Sequence, residues 1–295
     1  LSLFLPAVEQ GLIYGLMALG VYISFRVLAF PDLSVDGTFP LGAAVAATLI
    51  ISGWDPFLAS LVAAGAGMVA GAFTGILSTK FRIQGLLAGV LTMIMLYSIN
   101  LRIMGRPNLP LLGRPSALST AVEALGLPRT WGLVVVAALL ALGIKLILDL
   151  FFHTELGSAM RATGDNPHMV QAFGVNPETM VILGLALSNG LVALSGALVA
   201  QYSGFADVGM GVGTIVAGLA SVIVGEMILR PRGVFWATGA VLLGASLYRG
   251  AILVALRYGS VLGFTASDLK LLTALVVLGA LMAPAIRARL RGEEA

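Results

Sequence analysis

Apolar runs of about twenty residues, each bounded by charge, proline or glycine, follow one another along almost the whole chain, and each is long enough to cross a bilayer as a helix. Nine runs stand out, at about residues 6–29, 38–53, 57–79, 84–104, 131–152, 179–203, 212–229, 233–256 and 269–286, and the same pattern accommodates eight to ten. It predicts an all-α, polytopic transmembrane helical bundle forming a single domain over residues 1–295. The stretch 105–130, with Pro107, Pro110, Pro115 and Pro128, breaks the series and leaves room for a re-entrant or interfacial helix.

Composition removes the soluble alternative. Hydrophobic residues make up 59% of the chain, charged residues 11%, and mean hydropathy is +1.01, against about 25% charged residues in soluble domains. The net charge of +3 comes from 17 Lys and Arg scattered singly between apolar runs, so no basic patch for nucleic acid exists and their expected role is orientation. With the loop 153–178 placed inside, the cytoplasmic side collects Arg26, Lys80, Arg82, Arg161, Arg230, Arg232, Arg287, Arg289 and Arg291, while Arg102, Arg106, Arg114, Arg129, Arg257 and Lys270 stay outside. The N-terminus is then outside and the C-terminus cytoplasmic. Nothing between Leu1 and Pro6 resembles a cleavable signal, so the first span is expected to direct insertion.

Gly15–Asp32 aligns without gaps to Gly190–Asp207, with identities at Gly15/Gly190, Leu16/Leu191, Ala18/Ala193, Leu19/Leu194, Phe30/Phe205 and Asp32/Asp207, continuing through Thr38/Thr214 and Gly42/Gly218 after one inserted residue. Five spans separate the starts of the copies, an odd number, so they would cross in opposite directions. Such inverted repeats mark transporter folds. The expected halves are about 6–104 and 179–286, linked by the span 131–152. Both copies end in polar, Gly-rich elements, where Pro31 and the glycines favour an interrupted helix. Two readings of Asp32, Ser34, Asp36 and Asp207 stand open: groups that shape the pathway or its gates, or ordinary turns at the membrane surface.

The most distinctive hydrophilic segment is the loop His153–Thr179. Thr154 can cap a helix starting at Glu155, whose carboxylate suits the positive helix end. Asp165-Asn166-Pro167 reads as a break and restart, with Asp165 or Asn166 as cap and Pro167 at the first helical position, and Gly174 closes the second short helix. Small residues at Gly157, Ser158, Ala159 and Ala162 make a compact knob able to enter a groove on another protein; a plain solvated linker is the other reading.

Thr154, Gly157, Arg161, Ala162, Gly164, Asp165, Asn166 and Pro167, followed by Phe173-Gly174-Val175-Asn176, resemble the coupling-loop signature of permeases in the branched-chain amino acid and ribose family of ABC importers. Asp32-Leu33-Ser34-Val35-Asp36-Gly37 is similar to an element of that family's sugar permeases, with Asp36 where the sugar branch has Gly, and fits best a branch linked to aromatic amino acid uptake. The resemblance implies that Thr154–Gly174 docks on a separate ABC ATPase subunit that carries ATP and Mg, with Arg161 as anchor. It further implies a second permease copy as homodimer, an extracytoplasmic substrate-binding protein, and residence in the bacterial inner membrane.

No G-x-x-x-x-G-K-[ST], H-E-x-x-H or cysteine occurs, and both histidines fall in one loop, so no catalytic site, metal site or bound cofactor is expected in this chain. Polar residues inside the spans remain. Lys145 with Asp149, and Glu226 with Arg230, are spaced to pair on one helix face. Arg249 is placed to snorkel outward or to meet an acidic partner. Asn100, Asn189, Ser195 and Gln201 suit either a polar route or interhelical hydrogen bonds. An ion-coupled secondary transporter is the alternative function, since it too would carry an inverted repeat.

Overall fold

The computed structural model describes residues 4–259 and six isolated helical positions between 271 and 282, so most of the expected span 269–286 lies outside the described residues. In chain order the elements are α1 (Phe4–Tyr22), ending in a π-helical turn (Ile23–Val27), α2 (Val35–Ile51), α3 (Pro56–Thr79), α4 (Gly85–Met104), β1 (Asn108–Pro110), α5 (Ala117–Ala124) and α6 (Arg129–His153). The two short loop helices are α7 (Glu155–Asp165) and α8 (Pro167–Ala172). Then come α9 (Pro177–Ser203), β2 (Phe205–Asp207), a 3-10 turn (Val208–Gly211), α10 (Thr214–Leu229) and α11 (Val234–Gly259). The bundle is helical except for the antiparallel ribbon β1–β2, which the hydrophobic pattern had not announced.

Among the described residues seven helices, not nine, are long and apolar enough to cross a membrane, and α2, at 17 residues, falls short of them. Its shortness has a positional cause. Ser34, at its N-terminus, donates to Asn189 near the middle of α9, about 18 Å along a 27-residue helix about 40 Å long. So α2 begins at mid-depth and runs beside α9, its Ala44 and Ala47 sharing an apolar cluster with Ala200 at the far end. That end also carries the ribbon and α5, and is called the ribbon end; α7 and α8 mark the loop end. The short helix in the stretch 105–130 is α5, whose N-terminal Ala117 N–H donates to the Gln201 side chain.

The core is organised by backbones that approach closely, which is how helices associate where lipid removes the hydrophobic drive. Gly67, Gly71 and Gly75 form a stripe on α3, and a Cβ at Gly71 would stand 2.1 Å from the Leu185 carbonyl oxygen of α9. Gly11 and Gly15 seat α1 against Ser246 and Leu242 of α11 in the same way. Helices α1 and α9 cross the centre antiparallel: Ser188 Oγ donates to the Gly20 carbonyl at 2.7 Å, and Ser195 Oγ to that of Ile13 at 2.8 Å. Each carries a short helix and a long one, α10 and α11 on α1, α2 and α3 on α9.

Charged pairs mark the loop end. Lys80 bonds Glu178, and Arg26 reaches Glu226 across 200 positions of sequence. That second pair corrects the expected Glu226–Arg230 pairing: Arg230 takes a left-handed backbone at φ +42° as it ends α10 and is carried away from the helix face. The Lys145–Asp149 pair forms as spaced, buried, at 2.6 Å, with Thr238 Oγ1 donating to the second carboxylate oxygen.

Candidate functional site

Where α1 ends, its π-helical turn unwinds into 28–34, the segment holding Pro31, and the chain turns back to start α2. The buried Asp32 carboxylate closes this break. One oxygen accepts from Ser34 N–H at 2.9 Å, the other from Asn189 Nδ2 at 2.7 Å, and Ser34 Oγ completes the ring on Asn189 Oδ1 at 3.2 Å. Gly89 of α4 packs against the same turn, where a Cβ would meet Leu33 N at 2.7 Å. Asp32, Ser34 and Asn189 are therefore brought together as a closed, buried knot at mid-depth.

Asp36, one turn on, joins a different helix. Its carboxylate accepts from Gly213 N–H at 3.0 Å, Thr214 Oγ1 at 2.9 Å and Ile215 N–H at 2.8 Å, capping α10. Free N–H groups and the dipole make a helix start electropositive, and here the starts of α2 and α10 meet around one carboxylate. The two helices leave this point in opposite directions, α2 toward the ribbon end and α10 toward the loop end beside α1, with Gly218 against Val21 and Glu226 against Arg26. Pro40 donates no N–H to the Asp36 carbonyl, and Gly211 fills the space, a Cβ there standing 1.9 Å from that oxygen.

The segment between β2 and α10 thus descends from the ribbon end to mid-depth. Asp207 stabilises its upper part, accepting from Gly209 N–H at 2.8 Å and from Asn108 Nδ2 at 3.1 Å. Two cavities flank the segment and share Gly209 and Val212 as walls. One, of about 480 Å³, is lined by Asp36, Pro40, Met93, Tyr97 and Asn100. Asn100 Nδ2 donates to the Gly37 carbonyl at 3.1 Å, while its Oδ1 is buried with no hydrogen-bond partner among the described residues. The other, of about 510 Å³, lies between Tyr14, Thr214 and Arg249. Of the expected pathway residues, Asp36 and Asn100 line a cavity, whereas Asp32, Asn189 and Gln201 bond between elements and Asp207 braces the ribbon.

Arg249 neither snorkels to an end nor meets a carboxylate among the described residues; its guanidinium carbon lies 3.3 Å from the Tyr14 ring centroid. Tyr14 and Tyr97 were not singled out from sequence. Their signal was available as aromatic hydroxyls inside otherwise apolar runs.

At the loop end the expected caps are in place. Thr154 Oγ1 accepts from Gly157 N–H at 3.2 Å, Asn166 Oδ1 accepts from Met169 N–H at 3.1 Å, Pro167 opens α8, and Gly174 follows it at φ +84°. The glycines face the bundle rather than outward: a Cβ at Gly157 would stand 2.1 Å from the Phe151 carbonyl oxygen, and one at Gly164 1.9 Å from that of Val27. Glu155, Leu156, Arg161, Asp165, Met169 and Phe173 are exposed, Phe173 at 78%. A cavity of about 150 Å³ lined by Arg26, Arg161 and Asp165 lies beside the contact of α7 with the turn that ends α1. Helix α7 is thus seated on the end of α6 and on the π-helical turn of α1, while Leu156, Met169 and Phe173 stay exposed.

These features place the chain among multi-pass helical membrane proteins. It belongs to the family described as the permease component of branched-chain amino acid transport systems, whose pattern matches residues 4–283. The chain is 41% identical over 278 residues, 94% of its length and 90% of the relative's, to a tyrosine transport system permease protein of Clostridioides difficile. It is 41% identical over 228 residues, 77% of the chain and 78% of the relative, to an uncharacterized protein of Rickettsia prowazekii. An autoinducer 2 import system permease protein of Salmonella paratyphi B is 28% identical over 205 residues, 67% of the chain and 56% of the relative. No solved structure matches the chain. The chain is a permease component of an ABC-type transport system, and its relatives are transport subunits rather than enzymes.

Proposed function

We propose that this permease forms the membrane pathway for an amino acid, with tyrosine and other aromatic amino acids first among candidates, delivered by an extracytoplasmic binding protein and driven by a separate ATPase chain. The observation that carries the reading is the loop-end knob, whose exposed Leu156 sits on α7, Met169 on α8 and Phe173 just after it, with α7 seated on the end of α6 through Gly157 and on the turn that ends α1 through Gly164. A force applied to α7 reaches the π-helical turn and, five residues on, the Asp32 knot. The loop end is cytoplasmic in this reading, supported by the Arg26, Lys80, Arg82, Arg161, Arg230 and Arg232 gathered there. The N-terminus is then outside and the membrane is the bacterial inner membrane.

The inverted halves are part of the same proposal. Short α2 on α9 answers short α10 on α1, long α3 on α9 answers long α11 on α1, and the aligned glycines Gly42 and Gly218 pack on Ala193 and Val21. Discontinuous helices that start at mid-depth suit a site opened alternately to either side. A homodimer supplies a docking loop to each of two ATPase subunits and a second wall to the cavities beside α4 and α10.

The test is co-purification of the permease with its ATPase subunit. Arg161→Glu with Phe173→Glu is expected to reduce the ATPase recovered by about tenfold or more, as loss of a buried apolar anchor and a charge reversal at an interface do, while the permease remains monodisperse. Undiminished recovery would remove the docking role from this loop.

A further inference from the structure

We infer that the cavity beside Arg249 is a carboxylate-reading subsite on the solute's route, built for an amino acid with an aromatic or large apolar side chain; this rests on the amino-acid reading above. Arg249 stands about 22 Å along α11 from Val234 and about 9 Å short of Ala255, where the apolar span ends. A cation at that depth costs several kcal/mol and ordinarily reaches for the near interface. Helical side chains lean toward their helix N-terminus, and α11 runs antiparallel to α1, with Ser246 against Gly11 and Leu242 against Gly15. Arg249 accordingly leans toward mid-depth and lies over Tyr14.

The stacking fixes one face of the guanidinium and leaves the donors on its edge directed elsewhere. No ion pair occupies them among the described residues. The carboxylate of Asp36, which holds the cavity-lining Thr214, is committed to the first turn of α10. Among the described residues no anionic group meets these donors, and a planar carboxylate matches the guanidinium fork best. The walls specify the rest: Met210, Val212, Val216 and Ile252 give an apolar lining to about 510 Å³, a volume in the range of small-molecule sites.

The experiment reconstitutes the permease with its ATPase and binding protein into vesicles and follows ATP-driven uptake of labelled L-tyrosine. Arg249→Gln is expected to lower uptake by about tenfold or more while stimulation of ATP hydrolysis by the loaded binding protein is kept, and Arg249→Lys is expected to restore a substantial part. Uptake by Arg249→Gln within about twofold of wild type would overturn the subsite, as would loss of stimulated hydrolysis in step with uptake in both variants. Vesicles of phosphatidylcholine alone and of phosphatidylcholine with phosphatidylglycerol separate the solute from a lipid as the anion: a defect confined to the anionic vesicles would assign Arg249 to an anionic lipid headgroup and overturn the subsite. If the wild-type complex imports sugars and no amino acid, the functional reading fails instead.

Discussion

Asp36→Ala is expected to destabilise the purified complex by about 3 kcal/mol or more and to abolish transport. Three hydrogen bonds from the first turn of α10 converge on this carboxylate. Each bond to a charged acceptor contributes about 1.5–3 kcal/mol, non-additively, and loss of an N-terminal cap alone costs about 0.5–2 kcal/mol. Without that acceptor the Gly213 and Ile215 N–H groups lose their partner at mid-depth, where only water held in the adjoining cavities could take its place. The functional loss follows from the same contact, because Asp36 ties the start of α2 to the start of α10. Asp36→Asn, which keeps one acceptor oxygen and sets an amide against a donor, is expected to fall between. Thermal unfolding followed by size exclusion checks the stability, and uptake checks the function; an alanine variant that melts and transports like wild type would remove Asp36 from its central place.

Gly71→Leu is expected to prevent assembly of the bundle. The carbonyl oxygen of Leu185 and the Cβ of Asn189 occupy the space that a side chain would need, at 2.1 and 2.8 Å from the first added carbon. Backbone cannot yield as a side-chain tip can, so α3 would be driven off α9 at a cost of about 3 kcal/mol or more. The damage would spread to Asn189, which holds Asp32 and Ser34. Gly65→Leu is the control: on the same helix, a Cβ there meets nothing within 4 Å. The fraction of monodisperse protein after detergent extraction distinguishes the two.

What was legible in the sequence was local. The caps at Thr154 and Asn166, the restart at Pro167 and the closure at Gly174 each depend on neighbours within a few positions, and all are realised. The break at Pro31–Asp32 was legible for the same reason. The depth at which that break lies was not, because hydropathy reports the length of an apolar run and not where it begins; α2 therefore read as one more span. Pairings over long separations were out of reach. Glu226 has a basic residue at the ideal helical spacing in Arg230 yet bonds Arg26, brought alongside only by the packing of α10 on α1. Asp36 likewise meets a helix start 177 positions away. The Gly67, Gly71, Gly75 spacing was visible, but only the assembled bundle shows which helix it receives.

The most direct measurement is uptake of labelled L-tyrosine into vesicles holding the permease, its ATPase subunit and the binding protein, with each component omitted in turn. A conduit moved by a separate ATPase through the α7–α8 knob predicts accumulation that requires ATP inside, stops when the ATPase is left out, and persists when proton and sodium gradients are collapsed. Accumulation by the permease alone, driven by either gradient at the full rate, would contradict it.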